Sequence, residues 1–148
     1  MTTSNAMEAA AMPSSISKSA AKITALVVDD DRTNRIMHQM LLKKLGIDNQ
    51  VVVNGKEAVD AHSSGQSFDL ILMDMDMPVM NGIEATRKLR SMGIRSVIAG
   101  VSSHSVEGEV GEFIEAGLDD YQQKPLTTAK LLSILHKLAK QATSLSFC

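Results

Sequence analysis

Three short apolar runs most constrain what this chain can fold into. Ile23 to Val28, the "LILM" of "FDLILMD" and Ser96 to Val101 are each too short for an ordinary helix, and their apolar residues stand at consecutive positions. A strand with one wet face alternates apolar and polar residues. A strand that is apolar on both sides must be covered on both, as in the middle of a parallel sheet. Parallel neighbours need a long crossover between them, usually a helix. The first intervening segment has that character. In "RTNRIMHQMLLKKLG", Met37, Leu41 and Leu45 lie four apart with Ile36 and Met40 beside them, so the pattern predicts a helix with these residues on its apolar face and Gly46 at its end.

The remaining segments continue the alternation. "IDNQVVV" reads as a strand, and "NGKEAVDAHSSG" as a short helix opened by Asn54 and closed by Gly65. Pro78 and Gly82 break "MPVMNG" into a loop before a third helix, "IEATRKLRSMG". "SVEGEVGEFIEAG" reads as a fourth helix, although Gly108 and Gly111 each cost about 1 kcal/mol relative to Ala. "LDDYQQ" is a short fifth strand and "KP" a turn. In "TTAKLLSILHKLAK", Leu131, Leu135 and Leu138 form a stripe that Thr127 or Thr128 can cap. Five strand–helix alternations imply an α/β fold, a doubly wound parallel sheet of five strands with right-handed crossovers. The domain spans residues 23–140, between an N-terminal tail at 1–22 and a short C-terminal tail at 141–148. The N-terminal tail is rich in Ala, Ser, Thr and Met, shows no period and reads as disordered.

Composition narrows the function. A length of 148 residues suits one domain, and with aromatics at only 3% its core must be built from Leu, Ile, Val, Met and Ala. A net charge of −2 argues against a general nucleic-acid binder, and no apolar run approaches the length of about 20 residues needed to span a bilayer. Cys148 stands alone and cannot form an internal disulfide, which fits a reducing, cytoplasmic setting, with the nucleus also open to it.

In doubly wound sheets ligands bind beyond the carboxyl ends of the strands, where the strand order reverses. Strand one ends at Asp29-Asp30-Asp31, strand three at Asp74, strand four at Ser102-Ser103, and strand five leads into Lys124-Pro125. Singly, each is a solvated loop residue or a cap, and Asp31 reads as one. Together they put carboxylates, a hydroxyl and an ammonium on one edge. Carboxylates held close raise one another's pKa unless a cation joins them. Mg²⁺, which takes oxygen ligands in an octahedron, is the natural cation, with Mn²⁺ an acceptable substitute. Asp74, with a reference pKa near about 3.9, can attack phosphorus without a general base. The cation, Lys124 and Ser102 would then neutralise the phosphoryl oxygens.

In this order "LVVDDD", "DLILMDMDMP", "VIAGVSS" and "YQQKP" resemble the receiver domain of two-component response regulators, over roughly residues 23–140. The resemblance implies a flavodoxin-like (βα)5 fold with strand order 2-1-3-4-5. It implies Asp74 as phosphoacceptor, with Asp29 and Asp30 as the acidic pair at the metal and Asp30 the more direct ligand. Asp76 would offer the metal its backbone carbonyl. Ser102 would bond the phosphoryl group, Lys124 would be the active-site lysine, and Pro125 would follow it through a cis bond. Tyr121 would be the aromatic that turns inward on phosphorylation. The Asp76 side chain and His104 would tune the lifetime of the acyl phosphate. The wording is similar to single-domain, type-C-like regulators of plant phosphorelays, and also to receivers inside hybrid histidine kinases. The implied donor is a histidine phosphotransfer protein or histidine kinase. The implied protein is a monomer without nucleic-acid or membrane partners, acting as switch or phosphate sink. It would catalyse its own phosphorylation and dephosphorylation rather than work as a conventional enzyme.

A haloacid-dehalogenase-like phosphatase also carries Asp-x-Asp after an apolar strand, and Asp74-Met75-Asp76 has that spacing. But it places this motif on its first strand and its acidic pair last, and Pro78 stands where it usually has Thr or Val. A module that binds without phosphotransfer would not need the complete motif set. A calcium loop at "DDDRTNRIMHQM" lacks the Gly required at its sixth position. His38, His62 and His136 fall in helices as surface or packing residues, and no zinc-ligand spacing occurs.

Overall fold

The computed structural model describes residues 22–103 and 107–146. Strands β1 (Thr24–Val28), β2 (Asp48–Val52), β3 (Leu70–Asp74), β4 (Val97–Ser102) and β5 (Asp120–Gln123) alternate with helices α1 (Arg32–Lys44), α2 (Gly55–Ser63), α3 (Gly82–Ser91), α4 (Glu107–Glu115) and α5 (Thr128–Ser146). All strand pairs are parallel, in the expected order β2-β1-β3-β4-β5. β2 and β5 lie at the edges, and only they mix exposed or half-buried residues throughout. The three central strands are the runs that were apolar on both faces.

Their period-two alternation divides the core into two layers. Ala25, Val27, Leu70 and Leu72 face Leu42 of α1 and Leu131, Ile134 and Leu135 of α5. Leu26, Val28, Ile71 and Met73 face α2, α3 and α4 through Ala58, Leu89 and Phe113. Each fully buried Leu, Ile or Phe contributes about 1.5–3 kcal/mol.

The helix faces correct one expectation. Ile36, Met37 and Met40 of α1 are 44%, 41% and 66% exposed, while His38 and Leu42 are buried. At about 100° per residue, His38, Leu42 and Leu45 fall within an arc of about 60°, with Ile36 and Met40 on the opposite side. Four-residue spacing describes both stripes equally well. The polar His38 concealed the buried one; of the expected face Leu45 is buried and Leu41 packs against the core, while Ile36, Met37 and Met40 stay outside.

Caps set the ends. Asp31 accepts from Thr33 N at 2.9 Å, Asn54 from Glu57 N at 2.9 Å, and Asn81 with Glu84 forms a reciprocal capping box. Gly46, at φ +77°, follows α1. Gly108 and Gly111 do lie inside α4. α5 does not stop at Lys140, where its pattern breaks, but runs on to Ser146. At the amino edge Arg90 donates to the carbonyls of Ile94, Ser96 and Gly117 and pairs with Asp119 at 2.8 Å. Asp119 also accepts from Ile98 N and from Gln141 of α5, so one guanidinium ties α3, β4 and the α4–β5 turn together. Among the described residues no helix is long and apolar enough to cross a membrane.

Candidate functional site

From β1 the chain moves outward to β2 and then returns across β1 to β3, so the carboxyl ends of β1 and β3 flank the reversal of strand order. Asp29 follows β1, Asp74 closes β3, Ser102 closes β4 and Lys124 follows β5. Four of the sequence-selected residues thereby meet. Lys124 Nζ donates to Asp29 Oδ2 at 3.0 Å and to Asp74 Oδ1 at 3.1 Å. One carboxylate oxygen from each of Asp29, Asp30 and Asp74 lies within 4.8 Å of the other two. Asp29 and Asp74 are buried, whereas Asp30 is exposed.

Local structure holds these groups in place. Asp31 N donates to Asp29 Oδ1 at 2.9 Å, and Arg35, one turn into α1, donates to the Asp29 carbonyl at 2.9 Å. Lys124 N donates to Ser102 O at 2.8 Å, continuing the β4–β5 ladder to the lysine itself. The Lys124–Pro125 bond is cis, as the resemblance implied. After Asp74 the chain folds back, and Gly82 N donates to Met75 O at 2.8 Å. A Cβ on Gly82 would lie 2.1 Å from the Asp74 carbonyl oxygen, so only glycine lets α3 start against the backbone of Asp74.

The electrostatics follow from burial and from a shortage of positive charge. Burial first, and then the charge of Asp29, push the Asp74 carboxyl up from 3.8 to about 6, with Asp30 adding to the rise and Lys124 opposing it. Burial pushes the Lys124 ammonium down, but Asp74 and Asp29 outweigh that, and its pKa ends raised. Both shifts describe one ammonium serving three carboxylates. This set of hard oxygen donors fits Mg²⁺, whose opposed ligands stand about 4.2 Å apart, so small side-chain movements would close the cluster around the ion.

The other expected residues are distributed as follows. Asp76 is exposed and stands outside the carboxylate cluster. Ser102 is buried at the end of β4. Tyr121 pairs with Gly100 in register, and its ring meets Phe113 of α4 edge-on at 6.3 Å. His104 and Cys148 lie outside the described residues. His38 and His62 are buried and His136 is exposed, matching packing and surface roles. His62 Nδ1 lies 2.8 Å from the Ala58 carbonyl, and its ring meets Phe68. The segment that lacked the glycine of a calcium loop enters α1 at Arg32. Sequence reasoning overlooked Arg35 and Lys130, whose ammonium reaches the carbonyls of Gln123 at 2.6 Å and Pro125 at 3.2 Å. Lys130 did leave a signal, a cation in a helix first turn where acids are usual.

Residues 25–136 match the response regulator receiver domain. Two-component response regulator 24 of Arabidopsis thaliana is 67% identical over 117 residues, 79% of this chain and 84% of that protein. The receiver domain of a Pseudomonas aeruginosa sensor histidine kinase, solved with a magnesium ion in its active-site cleft, is 32% identical with a TM-score of 0.73, covering 81% of this chain and 99% of that one. The receiver domain of Saccharomyces cerevisiae Ssk1, solved with the histidine phosphotransfer protein Ypd1, is 25% identical with a TM-score of 0.73, covering 82% of this chain and 91% of that one.

Proposed function

The chain belongs to the response regulator receiver family, and from that premise we propose that Asp74 accepts a phosphoryl group from the phosphohistidine of a histidine phosphotransfer protein. The observation that carries this is the Lys124 ammonium bridging Asp29 and Asp74 at 3.0 and 3.1 Å, beside a third carboxylate. With its pKa near 6, Asp74 is mostly ionised at neutral pH and needs no base. Its oxygen attacks phosphorus, the P–N bond of the phosphohistidine breaks, and the electron pair stays on the imidazole nitrogen. Lys124 then turns from the Asp74 carboxylate to a phosphoryl oxygen, and Ser102 donates its hydroxyl to another. Asp29, Asp30, Asp74 and the Asp76 carbonyl would hold Mg²⁺, or Mn²⁺ in its place, and the bound ion would supply the remaining positive charge. Water later attacks the phosphorus, the P–O bond breaks, and the carboxylate and inorganic phosphate are released. Asp76 and His104 would tune the rate of that hydrolysis, and Tyr121 would report the state of Ser102 to α4.

The donor docks on the exposed side of α1. Ile36, Met37 and Met40 form an uncovered apolar stripe on the helix that directly follows the acidic pair. The yeast receiver solved with a phosphotransfer protein supports a partner of that class.

The test uses a labelled, phosphorylated histidine phosphotransfer protein and acetyl phosphate as alternative donors. Asp74→Asn should abolish uptake from both. Asp76→Asn should keep uptake and alter mainly the hydrolysis rate, because any residue offers a backbone carbonyl. Met40→Glu should slow transfer from the protein donor and leave acetyl phosphate unaffected. Label lost quickly as inorganic phosphate marks a sink, and lasting label marks a switch. If Asp76→Asn is as inert as Asp74→Asn while folded, the phosphatase-type use of the second carboxylate replaces this reading.

A further inference from the structure

The first turn of α5 places a cation at the position where α2 and α3 each place an acid. Thr127 caps this helix, its Oγ1 accepting from Lys130 N at 3.2 Å, which makes Lys130 the third residue of the helix. Helices favour Glu or Gln there, because an acid can complete a capping box and meets the positive end of the helix dipole. α2 has Glu57 at this position, with its carboxylate on Val53 N at 3.0 Å, and α3 has Glu84 on Asn81 N at 3.0 Å. α1 and α5 have no acid in the first turn, but the third residue of α1 is the neutral Asn34, whereas that of α5 is Lys130. A cation in this place works against the dipole.

The side chain explains the exception. Lys130 Nζ turns back off the helix and donates to Gln123 O at 2.6 Å and Pro125 O at 3.2 Å. Those carbonyls stand immediately before and after Lys124. On the other side, the Lys124 N–H is held by Ser102 O at 2.8 Å. The backbone of the active-site lysine is therefore gripped by β4 from one direction and by an ammonium of α5 from the other.

We propose that Lys130 is a positioning residue for phosphoryl transfer, clamping the turn that presents Lys124 to Asp74. This inference rests on the reading of Asp74 as phosphoacceptor. When a phosphoryl group arrives, Lys124 must exchange a carboxylate oxygen for a phosphoryl oxygen. With both flanking carbonyls held, it does so by rotating its side chain while the turn stays in place, and the ammonium meets the developing charge at a fixed distance. Positioning errors of a fraction of an ångström at such a point reduce rate without abolishing binding. A local energetic cost accepted beside an active-site turn that needs support is the pattern expected of a functional constraint.

The experiment measures the rate of labelling by acetyl phosphate at saturating Mg²⁺. It uses the wild-type chain, Asp74→Asn, Lys130→Met and Lys130→Arg, at low and high salt, with a thermal midpoint for each. Lys130→Met should fold with a midpoint close to wild type, label about 3- to 10-fold more slowly, and keep that deficit at high salt. Lys130→Arg, which can still donate to both carbonyls, should recover most of the rate. Labelling of Lys130→Met at the wild-type rate overturns the clamp. So does a deficit that disappears at high salt, since that would mark a mere long-range field. A wild-type chain that takes up no label, or takes it up equally as Asp74→Asn, overturns the reading of the site instead.

Discussion

Asp74→Asn should make the metal-free protein more stable above neutral pH, even as it removes the proposed phosphoacceptor. Asp74 is 6% exposed and its pKa rises from 3.8 to about 6 in the fold. A carboxyl whose folded value lies above its unfolded one holds its proton more tightly when folded. The stability this contributes is complete below pH 3.8 and is lost as pH climbs through about 6. A shift of roughly two units at about 1.36 kcal/mol each amounts to about 3 kcal/mol. Asparagine imitates the neutral form at every pH and is spared that penalty. At pH 8 in EDTA it should therefore raise the melting temperature by about 10 °C, the equivalent of 3 kcal/mol in a fold of this size. At pH 4 the two proteins should melt nearly together. Mg²⁺ should shrink the difference at pH 8, because it compensates the carboxylates of the wild type. Thermal and urea denaturation across pH 4–8, with and without Mg²⁺, measure this. No gain at pH 8, or an equal gain at pH 4, would falsify the account of a buried acid held short of positive charge.

Other perturbations probe the frame around the site. Gly111→Ala meets nothing within 4 Å of the new Cβ and should stabilise α4 by about 1 kcal/mol, seen as slower amide exchange in residues 107–115. Protection already equal to that of α5 in the wild type would contradict it. Gly100→Ala puts a Cβ 2.6 Å from Leu118 Cδ1 and 2.7 Å from Phe113 Cε2. It should cost about 1–3 kcal/mol in urea denaturation and shift the Tyr121 ring resonances, since Phe113 packs on that ring. Arg90→Met leaves Asp119 without its guanidinium and three carbonyls without their donor, with an expected loss of about 2–4 kcal/mol and little change in Mg²⁺ affinity. Mg²⁺ should bind more tightly with beryllofluoride present than without it, as read by titration calorimetry, because the phosphoryl mimic supplies a further oxygen ligand; equal affinities would count against a shared coordination sphere.

The strands that matter most could be read directly from the chain. A run such as "LILM" has no solvent-facing alternative, so its place at the centre of a parallel sheet follows from hydrophobicity alone. With β1, β3 and β4 placed there and β5 parallel to them, the acids, serine and lysine at the strand ends had to share an edge, and the candidate site was legible from the chain itself. Helix faces were not. Ile36 and Met40 carry a stronger apolar signal than His38, yet the fold buries His38, because the rotation of α1 is decided by what Leu42 and Leu45 find on the sheet and on α5. Lys130 and Arg35 escaped for a related reason. Their roles depend on carbonyls of Gln123, Pro125 and Asp29, and every residue type has a carbonyl, so no side-chain pattern marks one as an acceptor. Charge shortage at Asp74 likewise needed distances, since three acids and a lysine in a sequence have no pKa shift until burial and separation are known. Local pattern therefore decided which residues meet. Only the tertiary packing decided how tightly they meet, which helix face is left exposed, and which backbone atoms hold the side chains of the site in place.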